Sequence, residues 1–141
     1  MIIKPSAFIE IDSYQYKNTY LKLCPSKKGK KQEDVIFKTM GDLFVYSCVL
    51  GFLIDKTIEI DKTESVIRWQ VITPESQARL IALAVSKKGN IDCLKEPDKL
   101  KLELEIRSNG GMHIINDKIV NEDIDYNSFE GLMAELLSRI K

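Results

Sequence analysis

The longest apolar run in the chain lies between Leu43 and Ile54, where Ser47 and Gly51 are the only residues that are not plainly apolar. A helix that is apolar on every side is buried on several sides. This run therefore predicts a central helix around which the rest of the chain packs. Thr39 stands three residues ahead of Asp42 and serves as its N-cap, with the acid in the first turn facing the helix dipole. Val35-Ile36-Phe37, just upstream, reads as a short β-like run.

Shorter patterns flank this helix. Ala7 to Asp12 alternates in part and predicts a strand or an extended lead-in. Ser13 then caps a short helix through Leu23, to which Tyr14, Tyr20, Leu21 and Leu23 bring apolar contacts. Cys24 to Lys31 is a loop, broken by Pro25, Ser26 and Gly29. Downstream, Lys56 to Asp61 alternates, and Val66 to Ile72 is rich in β-branched residues and holds the only tryptophan. With Lys62-Thr63-Glu64-Ser65 as the turn, these two runs predict a small hairpin. Thr73-Pro74-Glu75 opens a helix with a cap, a proline and an acid, and Lys87-Lys88-Gly89 closes it. Ala78, Ile81, Ala82 and Val85 fall on one face of that helix.

Residues 98–107 fit two templates. Leu100, Leu102, Leu104 and Ile106 alternate with Lys and Glu, the period of a strand, and Ser108-Asn109-Gly110-Gly111 would be the turn after it. The same residues are good helix formers: Pro97-Asp98 suits a helix start and Asn109-Gly110-Gly111 a C-cap. Met112 to Val120 predicts a short helix. Asp125 or Asn127 then caps a last helix, in which Phe129, Leu132, Met133, Leu136, Leu137 and Ile140 form a stripe. The stripe is core, or Phe129, Met133 and Leu137 fill a partner's groove. These elements predict a mainly α, α+β fold: a compact helical domain around a central buried helix, with a small β-hairpin or short strands. A chain of 141 residues suits one domain. Within it, residues 1–34 form an N-terminal segment and 35–141 a helical core.

Charge adds an asymmetry that the hydropathy pattern hides. The net charge is zero, yet residues 1–31 hold seven lysines against Glu10 and Asp12, a net +5, which leaves −5 on the remainder. Such a dipole can steer a partner, and two solvated surfaces are the alternative. Four of the lysines, Lys27, Lys28, Lys30 and Lys31, crowd one loop. They suit phosphate contact, and with no arginine or aromatic in the loop they suit no base readout there. Tyr16, with Tyr14 and Tyr20 close by, could stack on bases, although tyrosines of this kind also sit half-buried at a core rim. A solvated loop is the plain alternative for the lysines.

Catalytic chemistry finds little support. One histidine, His113, and three scattered cysteines make neither a triad nor a metal site, so no catalytic, metal or cofactor-binding residue is assigned. Asp98, Glu103 and Glu105 are the nearest approach to a nuclease carboxylate set, but their spacing is short and Arg107 stands where a lysine is expected. Cys24, Cys48 and Cys93 are odd in number and contain no Cys-x-x-Cys pair, which suits reduced thiols in a cytoplasm. The apolar run falls short of the roughly 20 residues needed to cross a bilayer, and Met1 to Pro5 lacks a signal-peptide run, so no membrane association is expected.

Three segments taken together resemble a known family. Phe37 to Phe52, Leu80 to Val85 followed by Asn90-Ile91-Asp92-Cys93-Leu94, and Glu105 to Met112 with its Asn109-Gly110-Gly111 are similar, in that order, to small bacterial proteins encoded beside DNA phosphorothioation (Dnd) loci. The resemblance spans roughly residues 35–137. It departs where Ile106 breaks an expected pair of acids and where Arg107 replaces an aromatic. It implies a helix over residues 98–107, and a role as a non-catalytic accessory subunit of a DNA-modification and anti-phage defence system that contacts protein partners. It implies no active-site residue. DNA binding through the lysine loop is the alternative function, and a metal-dependent nuclease the third.

Overall fold

The computed structural model describes residues 3–24, 37, 39–121 and 134. The lysine loop and the stripe containing Phe129, Met133 and Leu137 lie outside the described residues, as do Val35 and Ile36. Among those described, helices dominate and a two-stranded antiparallel sheet accompanies them, an α+β fold.

The apolar run forms helix α1, Met40–Leu53. Thr39 caps it, its side chain accepting the Asp42 N–H at 3.0 Å. Leu43, Phe44, Ser47, Cys48, Leu50 and Gly51 are buried, and Val45, Tyr46, Val49 and Phe52 are partly so. Helix α2, Pro74–Lys88, starts and stops at its sequence signals: Thr73 accepts the Ser76 N–H at 3.3 Å, and Gly89 ends it in the left-handed conformation at φ 79°. Its buried face differs from the expected one. Leu80 and Ala84 are buried and Ile81 and Val85 partly so, while Ala78 and Ala82 face outward. Small alanines carry too little apolar area to decide which way a helix turns.

Residues 98–107 belong to a helix, α3, Pro97–Ile115. It does not stop at Asn109-Gly110-Gly111, as a C-cap would require. It runs through both glycines and continues as a π-helical stretch, Asn116–Asn121. The reason is tertiary. Among the described elements, helices α1 and α3 share the most extensive contact, and their backbones nearly touch where they cross. A Cβ on Gly111 would strike the Ser47 carbonyl, and one on Gly51 would strike the Arg107 carbonyl. Glycine inside a helix costs about 0.5–1 kcal/mol against alanine, and here the close packing of two backbones offsets that cost. Ser47 and Ser108, whose hydroxyls bond each other at 2.6 Å, complete this small-residue seam.

The sheet pairs β1, Phe8–Asp12, with β2, Thr63–Arg68. This corrects the expected hairpin between residues 56–61 and 66–72. Residues 56–60 form no strand, because α3 takes their backbone groups. Ile58 N–H donates to the Ile106 carbonyl at 3.1 Å, and Asn109 Nδ2 donates to the Ile58 and Glu59 carbonyls at 3.2 and 3.4 Å. Thr63 to Ser65, read as a turn, are in β2, and Trp69–Val71 is a 3-10 turn. The register slips between Ile9 and Glu10, so that Val66 bulges from β2. Ile9, Ile11 and Ile67 turn the sheet's buried face to the core. The far edge of β1 is closed by α3: Glu105 accepts the Glu10 N–H, and Lys101 Nζ donates to the Phe8 carbonyl at 3.1 Å.

Asp12, not Ser13, caps the N-terminal helical segment, its side chain accepting the Gln15 N–H at 3.1 Å. The segment reaches Leu23 as expected, but its middle, Tyr16–Tyr20, is π-helical. That wide turn carries Thr19 and Tyr20 into the core and leaves Tyr14 exposed.

Candidate functional site

A groove of about 320 Å³, open to solvent, lies between the end of α2, the 3-10 turn Asp92–Lys95 and the first turns of α3. Ala84 of α2 and Leu100 of α3, both buried, form its apolar floor. Lys88, Asp92, Glu96, Lys99 and Glu103 form a rim of mixed charge. Lys99 lies 3.0 Å from Glu96, and Lys95, beside the groove, lies 3.5 Å from Asp92. Cys93 lies partly exposed in the wall.

Behind the rim, a chain of ion pairs ties three helices together. Glu103 Oε1 accepts from Arg107 Nε at 3.0 Å, Arg107 Nη1 donates to Asp55 Oδ1 at 2.9 Å, and Lys87 Nζ reaches the same oxygen at 2.7 Å. Asp55 follows α1 with φ 54°, the only non-glycine residue of positive φ among those described. This conformation turns its carboxylate back toward α2 and α3. The Lys87 and Arg107 bonds hold that carboxylate below its usual range. Burial opposes the charge on Arg107, but its bonds to Asp55 and Glu103 prevail and hold the guanidinium protonated. Arg107 also stacks over the Phe52 ring at 4.9 Å. The aromatic expected from the resemblance at position 107 is thus replaced by a cation that uses an aromatic of α1.

The structure does not gather the three acids of the nuclease reading. Asp98 is exposed in the first turn of α3, Glu103 is bound to Arg107, and Glu105 faces β1, bound to Lys101 at 2.7 Å. Positions 103 and 105 of a helix point to nearly opposite sides. No group of three or more His, Cys, Asp or Glu residues among the described ones could hold a metal ion. Glu105 is buried, and burial raises its pKa, against the lowering effect of Lys101 and the Glu10 N–H. The buried thiols are equally remote from reactivity: burial pushes Cys24 up to about 12 and Cys48 upward as well.

Of the candidate nucleic-acid residues, Tyr16 is described, and it packs half-buried against the core beside fully buried Tyr20. Neither the groove nor the ion-pair chain was visible as a site in the sequence. Asp55 reads there as a turn residue. Of the rim residues, the sequence singles out Glu103 only as a candidate carboxylate and Lys88 only as part of a helix end, and it does not bring them together. The one available signal was the placement of Asp55, Lys87 and Arg107 at or near helix ends or on α3's inner face. No helix among the described residues is long and apolar enough to cross a membrane.

Comparison with known proteins found no match among curated proteins and none among solved structures. A family model does match, over residues 20–139, and its description connects it with DNA sulphur modification. The resemblance read from the three helical segments is the same one. The chain belongs to the family described as DNA sulphur modification system-associated protein 4.

Proposed function

We propose that this family member is a non-catalytic accessory subunit of its DNA sulphur modification system and acts by binding a protein partner. The observation that carries the reading is the groove: an apolar floor, a rim with both signs of charge, and an ion-pair chain that holds its walls together without occupying it. Interfaces combine such an apolar centre with a polar rim. Ile91, next to the groove-lining Asp92, is 66% exposed, and Leu102 of α3 is 54% exposed, which offers further apolar surface for a partner. A cytoplasmic location accompanies this reading.

The test is co-expression of the tagged chain with the proteins of the sulphur modification system, followed by affinity capture. Retention of one of those proteins in fixed stoichiometry, and its loss in a Lys88→Glu/Lys99→Glu variant that still folds, is the expected result. Retention by both forms would move the contact elsewhere, with Phe129, Met133 and Leu137 as the next candidates.

A second reading rests on a different observation, the net +5 of residues 1–31. In it, Lys27, Lys28, Lys30, Lys31 and Tyr16 bind DNA. Phosphate contacts release counterions, so affinity would fall steeply with salt. Binding that weakens with salt and disappears when the four lysines become alanine would favour this reading. No binding at low salt would end it.

A further inference from the structure

Three side-chain atoms in the interior lack a hydrogen-bond partner of good geometry among the described residues: Gln15 Nε2, Asn109 Oδ1 and Tyr20 Oη, the last lying near the Ser47 and Ser108 hydroxyls. Buried polar groups are almost always paired, so each such atom calls for an explanation. These three side chains are buried, and all of them line one small cavity of about 10 Å³, shared with Glu105, Ser108 and Met112 of α3. Their convergence on a single cavity is the observation to be explained.

We propose that this cavity is the binding site of one ordered water molecule, which joins the N-terminal helical segment to α3 through Gln15, Tyr20 and Asn109. Size is the first argument. A volume of this order is about one water probe, enough for one water and too small for an organic ligand. Polarity is the second. Water both donates and accepts, so it can receive the Gln15 N–H, give a hydrogen to Asn109 Oδ1 and share a third bond with the Tyr20 phenol. Burial pushes that phenol's pKa well above its ordinary value, so it stays neutral. Of the two acids that line the cavity, Glu105 is matched by Lys101 at 2.7 Å and Asp12 accepts the Gln15 N–H at 3.1 Å.

Rotating the amides does not remove the need for a partner. Asn109 is fixed: its Nδ2 donates to the Ile58 and Glu59 carbonyls, and a turned amide would set oxygen against oxygen. Gln15 Oε1 lies 2.6 Å from the Thr19 hydroxyl, which could bond either end of the amide. Turning Gln15 would exchange a donor in the cavity for an acceptor, and water satisfies both. The site also gives Asn109 a role in the Asn-Gly-Gly run. One end of its amide holds residues 58–59 against α3, and the other holds the water.

The test has a crystallographic and a solution arm. A high-resolution crystal structure of the full chain is expected to show density at hydrogen-bond distance from all three atoms. Water–protein NOE spectra are expected to show a long-lived water at the Asn109 and Gln15 side-chain amides, lost in Gln15→Met, which removes the amide and keeps the volume. Wild-type protein with neither density nor NOE would overturn the proposal, and this arm decides even if the variant fails to fold. An NOE that persists unchanged in a folded Gln15→Met variant would also overturn it.

Discussion

Gly51 and Gly111 set how closely α1 and α3 approach. Each presents bare backbone to the other helix, to the carbonyls of Arg107 and Ser47 respectively. Alanine at either place forces the helices apart, and overpacking of this kind costs about 1–3 kcal/mol and occasionally more. Both Gly51→Ala and Gly111→Ala are therefore expected to lower the urea midpoint, even though alanine is the better helix former. A stabilised variant would mean that the helices do not cross here. Glu105 provides a test by pH. Burial raises its folded-state pKa above the ordinary 4.5, so the folded protein keeps this proton to higher pH than the unfolded chain does. The folded state then binds more protons, and the contribution of Glu105 to stability falls as pH rises from the ordinary value through the folded one. Relative to Glu105→Gln, the wild type should lose stability as pH rises above the ordinary carboxylate value, read from urea unfolding of both forms. A wild-type advantage that grows with pH would contradict the assignment.

At the scale of elements, local signals and long-range packing divided the work of specification. The limits of α2 were legible because both are chemical: Thr73 and Pro74 at the start, Gly89 at the end. Thr73→Ala should cost about 1 kcal/mol, measured by thermal unfolding, because it deprives the Ser76 N–H of its acceptor. Helix α1 was legible from its uninterrupted apolar run. Asn109-Gly110-Gly111 misled because glycine near a charged stretch has two meanings, an end or a close approach. The residues that decide between them, Ser47 and Gly51, lie about 60 positions away in the chain. The strand pattern at Leu100 to Ile106 failed for a related reason. Leu102 is exposed while Leu100 and Leu104 are buried, so the leucines serve two sides of a helix, not one face of a strand. The sheet partner was misread because β1 comes from the far N-terminal side, whereas residues 56–60 were already bound by α3.

On the scale of the whole molecule, the described residues share one apolar cluster, and α1, α2 and α3 meet again through Asp55, Arg107, Glu103 and Lys87. The groove lies against that junction. It could not be read in the sequence, because its rim is made of Lys, Asp and Glu residues like those of any solvated surface, and only their placement around Ala84 and Leu100 makes them a site. The family, in contrast, was legible from three segments taken in order, because each is a helix-packing pattern readable along the chain. Membership connects the chain with DNA sulphur modification. The step from there to an accessory subunit rests on a partner filling the groove. The most direct measurement is light scattering on a size-exclusion column of this chain mixed with the purified proteins of its sulphur modification system. The account predicts a stable complex whose mass includes one of those proteins, and its dissociation when Lys88 and Lys99 become glutamate. Elution of the chain apart from every one of them would contradict it.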